Sequence, residues 1–282
     1  MGRGERGEPI GRIQATLSRD VVVAIESNLC EFYGSYGRMP GAKVDSGPDM
    51  LRVKTGLPHE LLNGIFRAHI PEEDPRAAID AVLSDFLSER IPVMWWVGPS
   101  TEPRNLGTYL ESCGLDHAGE LSGMAIDLEV LLGHLSPPPE LSIEPVRDED
   151  TLRVWLTAFA AGYEMPEAAI RGLFDYFRSV GFGPNPLVRN YLGRWQGEPV
   201  ASSSLFFGAG VAGVYVTVVP EFRKQGIGAA MTLVPLRVAR AAGYRVGVTH
   251  VPDYRLGFHR KLGFKPYCTL STYIPRALAR TG

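Results

Sequence analysis

The stretch Val216-Thr-Val-Val-Pro-Glu-Phe-Arg-Lys-Gln-Gly-Ile-Gly-Ala-Ala230 is the most informative in the chain. It reads as a valine-rich strand, a turn with Pro220 and Arg223, and a helix whose first turn holds Gly226 and Gly228. A helix start leaves about four backbone N–H groups without partners and carries a partial positive charge, so it can receive a pyrophosphate. Glycines lack the Cβ that would hold the backbone away from phosphate oxygens. Arg223 and Lys224 add positive charge at the rim. The stretch is not a Walker loop, since no Gly-Lys-Ser/Thr follows, and not a dinucleotide fingerprint, since Met231 stands where a third glycine belongs.

Regular signals surround this stretch. Residues 141–146 alternate as a strand, Asp148 or Asp150 can cap a helix reaching about Ala161, and Pro166 opens a second helix through Phe177. Residues 188–195 and 199–207, separated by Gln196-Gly-Glu198, read as a hairpin, and residues 211–219 as a third strand. After the glycine turn come a helix to about Ala242, stopped by Gly243, a buried strand over 245–251, a short helix ending at Gly263, and a last strand over 267–274. Pro235 falls inside the long helix and predicts a kink or a later helix start.

The N-terminal half repeats the latter part of this order. Residues 62–70 and 92–97 read as strands, 74–90 and 105–113 as helices, and 122–128 as a last strand. Pro71 and Pro220 are 149 residues apart, and so are Gly114 and Gly263, which points to a diverged internal duplication. The stiff run Ser136-Pro-Pro-Pro-Glu140 marks the boundary. The expected organisation is a flexible tail over residues 1–12, a first domain over 13–133, a linker over 134–140 and a second domain over 141–282.

Composition narrows the function. The chain has 282 residues, and 29 Lys and Arg against 31 Asp and Glu give a net charge of −2, which argues against nucleic-acid binding by phosphate neutralisation. No apolar run approaches the roughly 18 residues of a membrane span, and the first residues lack the apolar stretch of a signal peptide, so a cytoplasmic protein without membrane partners is expected. Cys30, Cys113 and Cys268 form neither a disulfide framework nor a zinc pattern, and Cys113 with His117 has no partner pair, so no metal is expected.

Arg223-x-x-Gly226-x-Gly228 after a Val-x-Val-x-Pro strand resembles the acyl-CoA signature of the Gcn5-related N-acetyltransferases. Phe258-His-Arg-Lys-Leu-Gly-Phe264 is similar to that family's closing helix, and the resemblance covers about residues 141–274. The resemblance implies an α/β fold of two tandem domains, each with a mixed sheet, the second split like a V between the strand ending at Val219 and the one ending near Val251. Pantetheine would pair with main-chain groups of Val216, Thr217 and Val218, and amides of Lys224, Gln225, Gly226, Ile227, Gly228 and Ala229 would hold the pyrophosphate beside Arg223. The implied reaction moves an acetyl group from acetyl-CoA, as co-substrate, directly to the amine of a small molecule. A peptide or protein amine, or a non-catalytic acyl-CoA sensor, are the alternatives.

In the resembling proteins the acid is commonly a Tyr four residues before the closing Gly; here His259 stands there. An imidazolium is a stronger acid than a phenol but only partly populated at neutral pH. Candidates for the base are Glu164, between the first two helices, and His250, at the end of the strand beside the split, while Asp253 and Tyr254 could line the pocket. Gly247 cannot serve as a base, and Pro252 replaces an Asn that contacts cofactor in many relatives. In the first half Glu72-Glu-Asp-Pro-Arg76 replaces the glycine loop and Leu110 takes the place of His259, so that half is read as structural.

Overall fold

A computed structural model describes residues 10–131, 137–183 and 185–278. The chain begins with helix α1 (Ile10–Gly34), followed by strands β1 (Lys43–Ser46), β2 (Leu51–Lys54) and β3 (Gly64–Phe66), helix α2 (Pro75–Ser88), β4 (Met94–Val97), α3 (Leu106–Ser112) and β5 (Leu115–Asp127). The second half contains β6 (Leu141–Pro145), α4 (Glu149–Tyr163), α5 (Glu167–Val180), β7 (Val188–Trp195), β8 (Glu198–Gly208), β9 (Val211–Val218), α6 (Ile227–Ala241), β10 (Val246–Pro252), α7 (Leu256–Lys261) and β11 (Lys265–Pro275). The repeat is visible in this order: an antiparallel meander, a helix, a strand parallel to the third, a short helix and a long last strand.

All eleven strands form one mixed sheet, in the order β1-β2-β3-β4-β11-β5-β10-β9-β8-β7-β6. The last strands are exchanged. β11 of the second half lies between β4 and β5 of the first, and β5 lies between β10 and β11 of the second. Each half therefore satisfies its backbone with a strand supplied by the other.

Two helical layers cover the sheet. On one face α2 and α3 bury Ile79, Leu83, Phe86 and Leu110 over the first half, and α6 and α7 bury Met231, Leu236 and Leu262 over the second. On the other face α1, α4 and α5 enclose one core that contains Phe32, Tyr33, Phe66, Trp96, Trp155, Tyr176 and Phe206 and so joins the halves. Local signals explain the helix starts. Asp148 Oδ1 accepts from Thr151 N–H at 2.8 Å, and Asp74 Oδ1 accepts from Ala77 N–H at 3.0 Å.

α1 is seated by glycines. A Cβ on Gly98, Gly123 or Gly208 would lie 2.3–2.8 Å from Glu26, Ile25 or Glu31 respectively, and one on Gly213 would lie 2.1 Å from Asn28. These four glycines stand at β4, β5, β8 and β9, in both halves. Asn28 Nδ2 donates to Gly208 O at 3.0 Å and Glu31 Oε2 accepts from Ala209 N–H at 2.9 Å, which fixes the helix along its seat.

Three expectations are corrected here. α1 already includes Ile10, so residues 10–12 of the tail expected over 1–12 are helical, and residues 1–9 lie outside the described residues. The strand expected over 62–70 is only Gly64–Phe66, because Arg67 turns to a positive φ of 50°. β5 is longer than residues 122–128, since it spans the exchange. α6 starts at Ile227 and contains Pro235. Of the expected linker, residues 134–136 lie outside the described residues.

Replacing Gly213 by Ala forces α1 off Asn28's position. Equilibrium urea unfolding should show a loss of about 1–3 kcal/mol, and a loss under about 0.5 kcal/mol would mean that the seat is not tight.

Candidate active site

β9 and β10 pair in parallel only at Ala212 with Gly247 and at Gly213 with Val248. Beyond these residues the strands part, and Thr249 Oγ1 donates to Val214 O at 2.9 Å where the opening begins. Strand parity then assigns the backbone. Val214 O faces β10 and Val219 N–H donates to Val200 O on β8 at 2.9 Å, so Val216 directs its amide and carbonyl into the opening while Thr217 directs its own at β8. Of the three residues expected to pair with pantetheine, Val216 and Val218 face the opening by this parity and Thr217 does not, and Val216 keeps both its amide and its carbonyl free among the described residues. Val218 O accepts from Arg223 Nε at 3.2 Å.

The glycine turn sits in front of the opening. Lys224 and Gly226 hold positive φ of 64° and 81°, and Gly226 is the N-cap of α6 with no side-chain cap. The first bond of the helix is Ala230 N–H to Gly226 O, and among the described residues the amides of Lys224 to Ala229 meet no acceptor. Arg223, Lys224, Gln225 and Gly226 are exposed. Such a ring of free amides with flanking cations is a cradle for a polyanion. Arg223 braces the turn against β9 by its Nε as well as carrying charge. Gly228 lies against Phe258, and Pro137–Pro139 flank the outer side of α6, where with Gly226, Ala229, Ala230 and Leu233 they line a cavity of about 330 Å³.

The first half has the same strands and a closed opening. β3 and β4 pair at Gly64 with Met94 and at Ile65 with Trp95, but beyond them Glu102 N–H donates to Ala68 O at 2.9 Å and Ile70 N–H donates to Glu102 O at 2.8 Å. The chain's own peptide fills the gap. The start of α2 is capped by the Asp74 carboxylate, which takes the place an anion would need.

The candidate catalytic residues divide between the two faces. His259 is 6% exposed on α7, between Phe258 and Phe264, with α6 on the same face. Its Nδ1 lies 3.1 Å from Arg255 O, so Nδ1 carries the proton and Nε2 is left bare, and burial lowers its pKa. That is the state of a hydrogen-bond acceptor, and the imidazolium acid expected at this position is disfavoured by the protein around it. Glu164 is the left-handed C-cap of α4, exposed at the rim of the opposite face. Next to it, Gly162 touches Thr217: a Cβ there would lie 1.9 Å from Thr217 Cγ2.

His250 and Tyr215 face each other across the opening on the α1 side, their rings parallel within 10° and 6.2 Å apart. Among the described residues both ring nitrogens of His250 are buried without a hydrogen-bond partner, and burial lowers its pKa to about 4, opposed by the Ile25 backbone. Tyr215 O–H donates to Asn28 Oδ1 at 3.2 Å. Ser202, paired with Thr217 across β8 and β9, also has an unpartnered buried hydroxyl. Sequence reading missed Tyr215, Asn28 and Ser202. Tyr215 follows from parity once the strand is placed, but nothing local joins it to Asn28.

The first half closes this face. His59 Nε2 lies 3.4 Å from Tyr163 O, its Nδ1 accepts from Leu61 N–H, and a Cβ on Gly172 would lie 2.5 Å from Leu57. Among the described residues no cluster of three His, Cys, Asp or Glu could hold a metal, and no helix is long and apolar enough to cross a membrane.

A buried neutral histidine links stability to pH. The unfolded chain takes up a proton near pH 6.5 that folded His250 refuses until about pH 4, so stability is complete above 6.5 and falls as pH falls below it. Between pH 7 and pH 5 the loss from this residue should be about 1–2 kcal/mol. Urea unfolding of wild type and His250→Phe at both pH values tests this, and an equal pH dependence in the two proteins would exclude the assignment.

No protein-family model and no curated protein matches the sequence. Solved structures do. A GCN5-related N-acetyltransferase from Kribbella flavida is 17% identical, with 90% of this chain and 96% of that chain covered and a TM-score of 0.67. One from Sphaerobacter thermophilus is 15% identical, with 82% and 81% covered and a TM-score of 0.57. A tandem GNAT protein from the clavulanic acid biosynthesis pathway is 15% identical, with 86% of each chain covered and a TM-score of 0.54. The fold of this chain, a mixed sheet with a parallel strand pair that opens in front of a glycine turn, is that of the GCN5-related N-acetyltransferases.

Proposed function

We propose that the protein is an N-acetyltransferase whose second half moves an acetyl group from acetyl-CoA to an amine of a small molecule. The observation that carries this reading is the uncapped start of α6 standing in front of the opening between β9 and β10. One element offers free amides and positive charge for the pyrophosphate, and the other offers Val216 main-chain groups for an extended amide-bearing arm. Both belong to the second half. The first half is proposed to be structural, with its opening filled by Glu102 and its helix start capped by Asp74.

When bound, acetyl-CoA supplies the activated acyl group. The Val216 N–H is the donor that would polarise the carbonyl. His250, neutral at physiological pH, would accept a hydrogen bond and then the proton from the attacking amine. The nitrogen lone pair forms the new C–N bond, the C–S bond breaks, and the thiolate takes a proton from solvent. A small acceptor is favoured over a peptide because α1, α4 and the loop around His59 cover the face that holds His250 and Tyr215. A sensor without turnover would need none of the unpartnered polar groups found there.

Calorimetric titration with acetyl-CoA should give one site per chain, and Gly226→Val should lower the affinity at least about tenfold, since φ at 81° is strained for any side chain and relief of that strain would turn the free amides of the cradle. Two sites would restore a role for the first half. Unchanged affinity in the variant would move the pyrophosphate elsewhere.

A further inference from the structure

The acceptor side of the opening carries a row of polar residues directly across the sheet. Asn190 pairs with Ser204 and Ser204 with Tyr215; two residues beyond the Gly213–Val248 pair, Tyr215 stands beside His250; His250 pairs with Gly123 and Gly123 with Cys268. Ser204 Oγ donates to Asn190 Oδ1 at 2.6 Å and Tyr215 O–H donates to Asn28. The exception is His250, whose two nitrogens have no hydrogen-bond partner among the described residues, the Ile25 carbonyl being the backbone group that acts on the ring. In a folded core such atoms are matched by water or by a ligand. Tyr215, Val216 and His250 are less buried than their strand neighbours, although the two ring nitrogens themselves are covered.

Among the described residues no carboxylate is turned to this point, and the formal charge felt at its edge is a cation, Arg67, which acts on Cys30 and Glu26. Tyr215 on β9, Cys30 and Tyr33 on α1 and Cys268 on β11 surround it, and burial holds all four uncharged, the two thiols up at about 12. Glu26 on α1 turns to Ser100 N–H at 3.1 Å, and Glu31 turns to Ala209 N–H. Glu60 stands at the outer end, near Tyr33. An ammonium brought to His250 would lose its water without gaining a counter-charge, whereas a neutral amine can donate N–H to the bare imidazole nitrogen.

Building on the transferase reading, we infer that His250 and Tyr215 receive the nucleophile as an unprotonated, weakly basic amine, with Asn28 of the first half as the positioning residue that holds the Tyr215 hydroxyl. The chemical class is that of amines already neutral near pH 7, such as alkoxyamines, hydrazides and arylamines. The substrate preference of the second half is then set partly by a helix of the first.

Methoxyamine and ethylamine have nearly the same shape and differ in basicity, so they separate charge from fit. Release of CoA from acetyl-CoA, corrected for the uncatalysed rate, should be at least tenfold faster with methoxyamine at pH 7, and the gap should narrow as pH rises and ethylamine loses its proton. Tyr215→Phe, which keeps the ring, should lower kcat/KM for methoxyamine about tenfold and leave the Kd of acetyl-CoA unchanged; Asn28→Ala should act in the same direction and alter the pH profile. Equal or faster turnover of ethylamine at pH 7, identical rates in wild type and Tyr215→Phe, or no catalysed rate with either amine in protein that binds acetyl-CoA would each overturn the inference. Failure to bind acetyl-CoA would instead remove the transferase reading beneath it.

Discussion

The pairing of β5 with β11 is the constraint on which the rest of the molecule depends. These two long antiparallel strands run from Leu115 opposite Pro275 to Ala125 opposite Lys265, and each lies inside the other half's strand order. Because an unpaired central strand would leave a row of buried N–H and C=O groups, neither half can close its sheet alone. The exchange also fixes the distance between the halves. It brings β10, and with it His250, beside β5 and beneath α1, so that a helix from the beginning of the chain meets an opening formed near its end.

One topology supports two different outcomes. In both halves a parallel pair begins and then parts, but in the first half the loop around Glu102 binds the exposed edge and Asp74 caps the following helix. In the second half the edge at Val216 stays free and Gly226 leaves the helix start uncapped. Few residues make the difference: a carboxylate where glycine would be needed, and a loop that folds inward rather than away. A self-satisfied backbone is stable and inert, and an unsatisfied one is available for a ligand.

Much of the fold was legible because its local signals agree. The hairpin of β7 and β8, the Asp148 cap and the α6 stop at Gly243 all rest on turn and capping chemistry that acts over a few residues. α1 was not legible. From Ile25 to Tyr33 it is buried on most of its circumference, since both halves close on it, so its sequence lacks the one-sided apolar period that marks a surface helix. The short β1 and β2 escaped for a related reason: strands of four residues carry too little pattern of their own. The glycine turn could be read because its chemistry lies in consecutive residues, whereas the His250 environment is assembled from β9, β10, β5 and α1.

By itself, the sequence determined the helix start with free amides, the order of elements in the second half and the absence of glycines in the first half's turn, all of which follow from backbone chemistry within a short window. The tertiary structure decided which strand each half borrows, which main-chain groups of β9 face the opening, that His259 is a buried acceptor, and that Tyr215 and His250 meet under Asn28. These are consequences of parity, burial and long-range pairing. They depend on where distant parts of the chain come to rest, and no local pattern of residues encodes that.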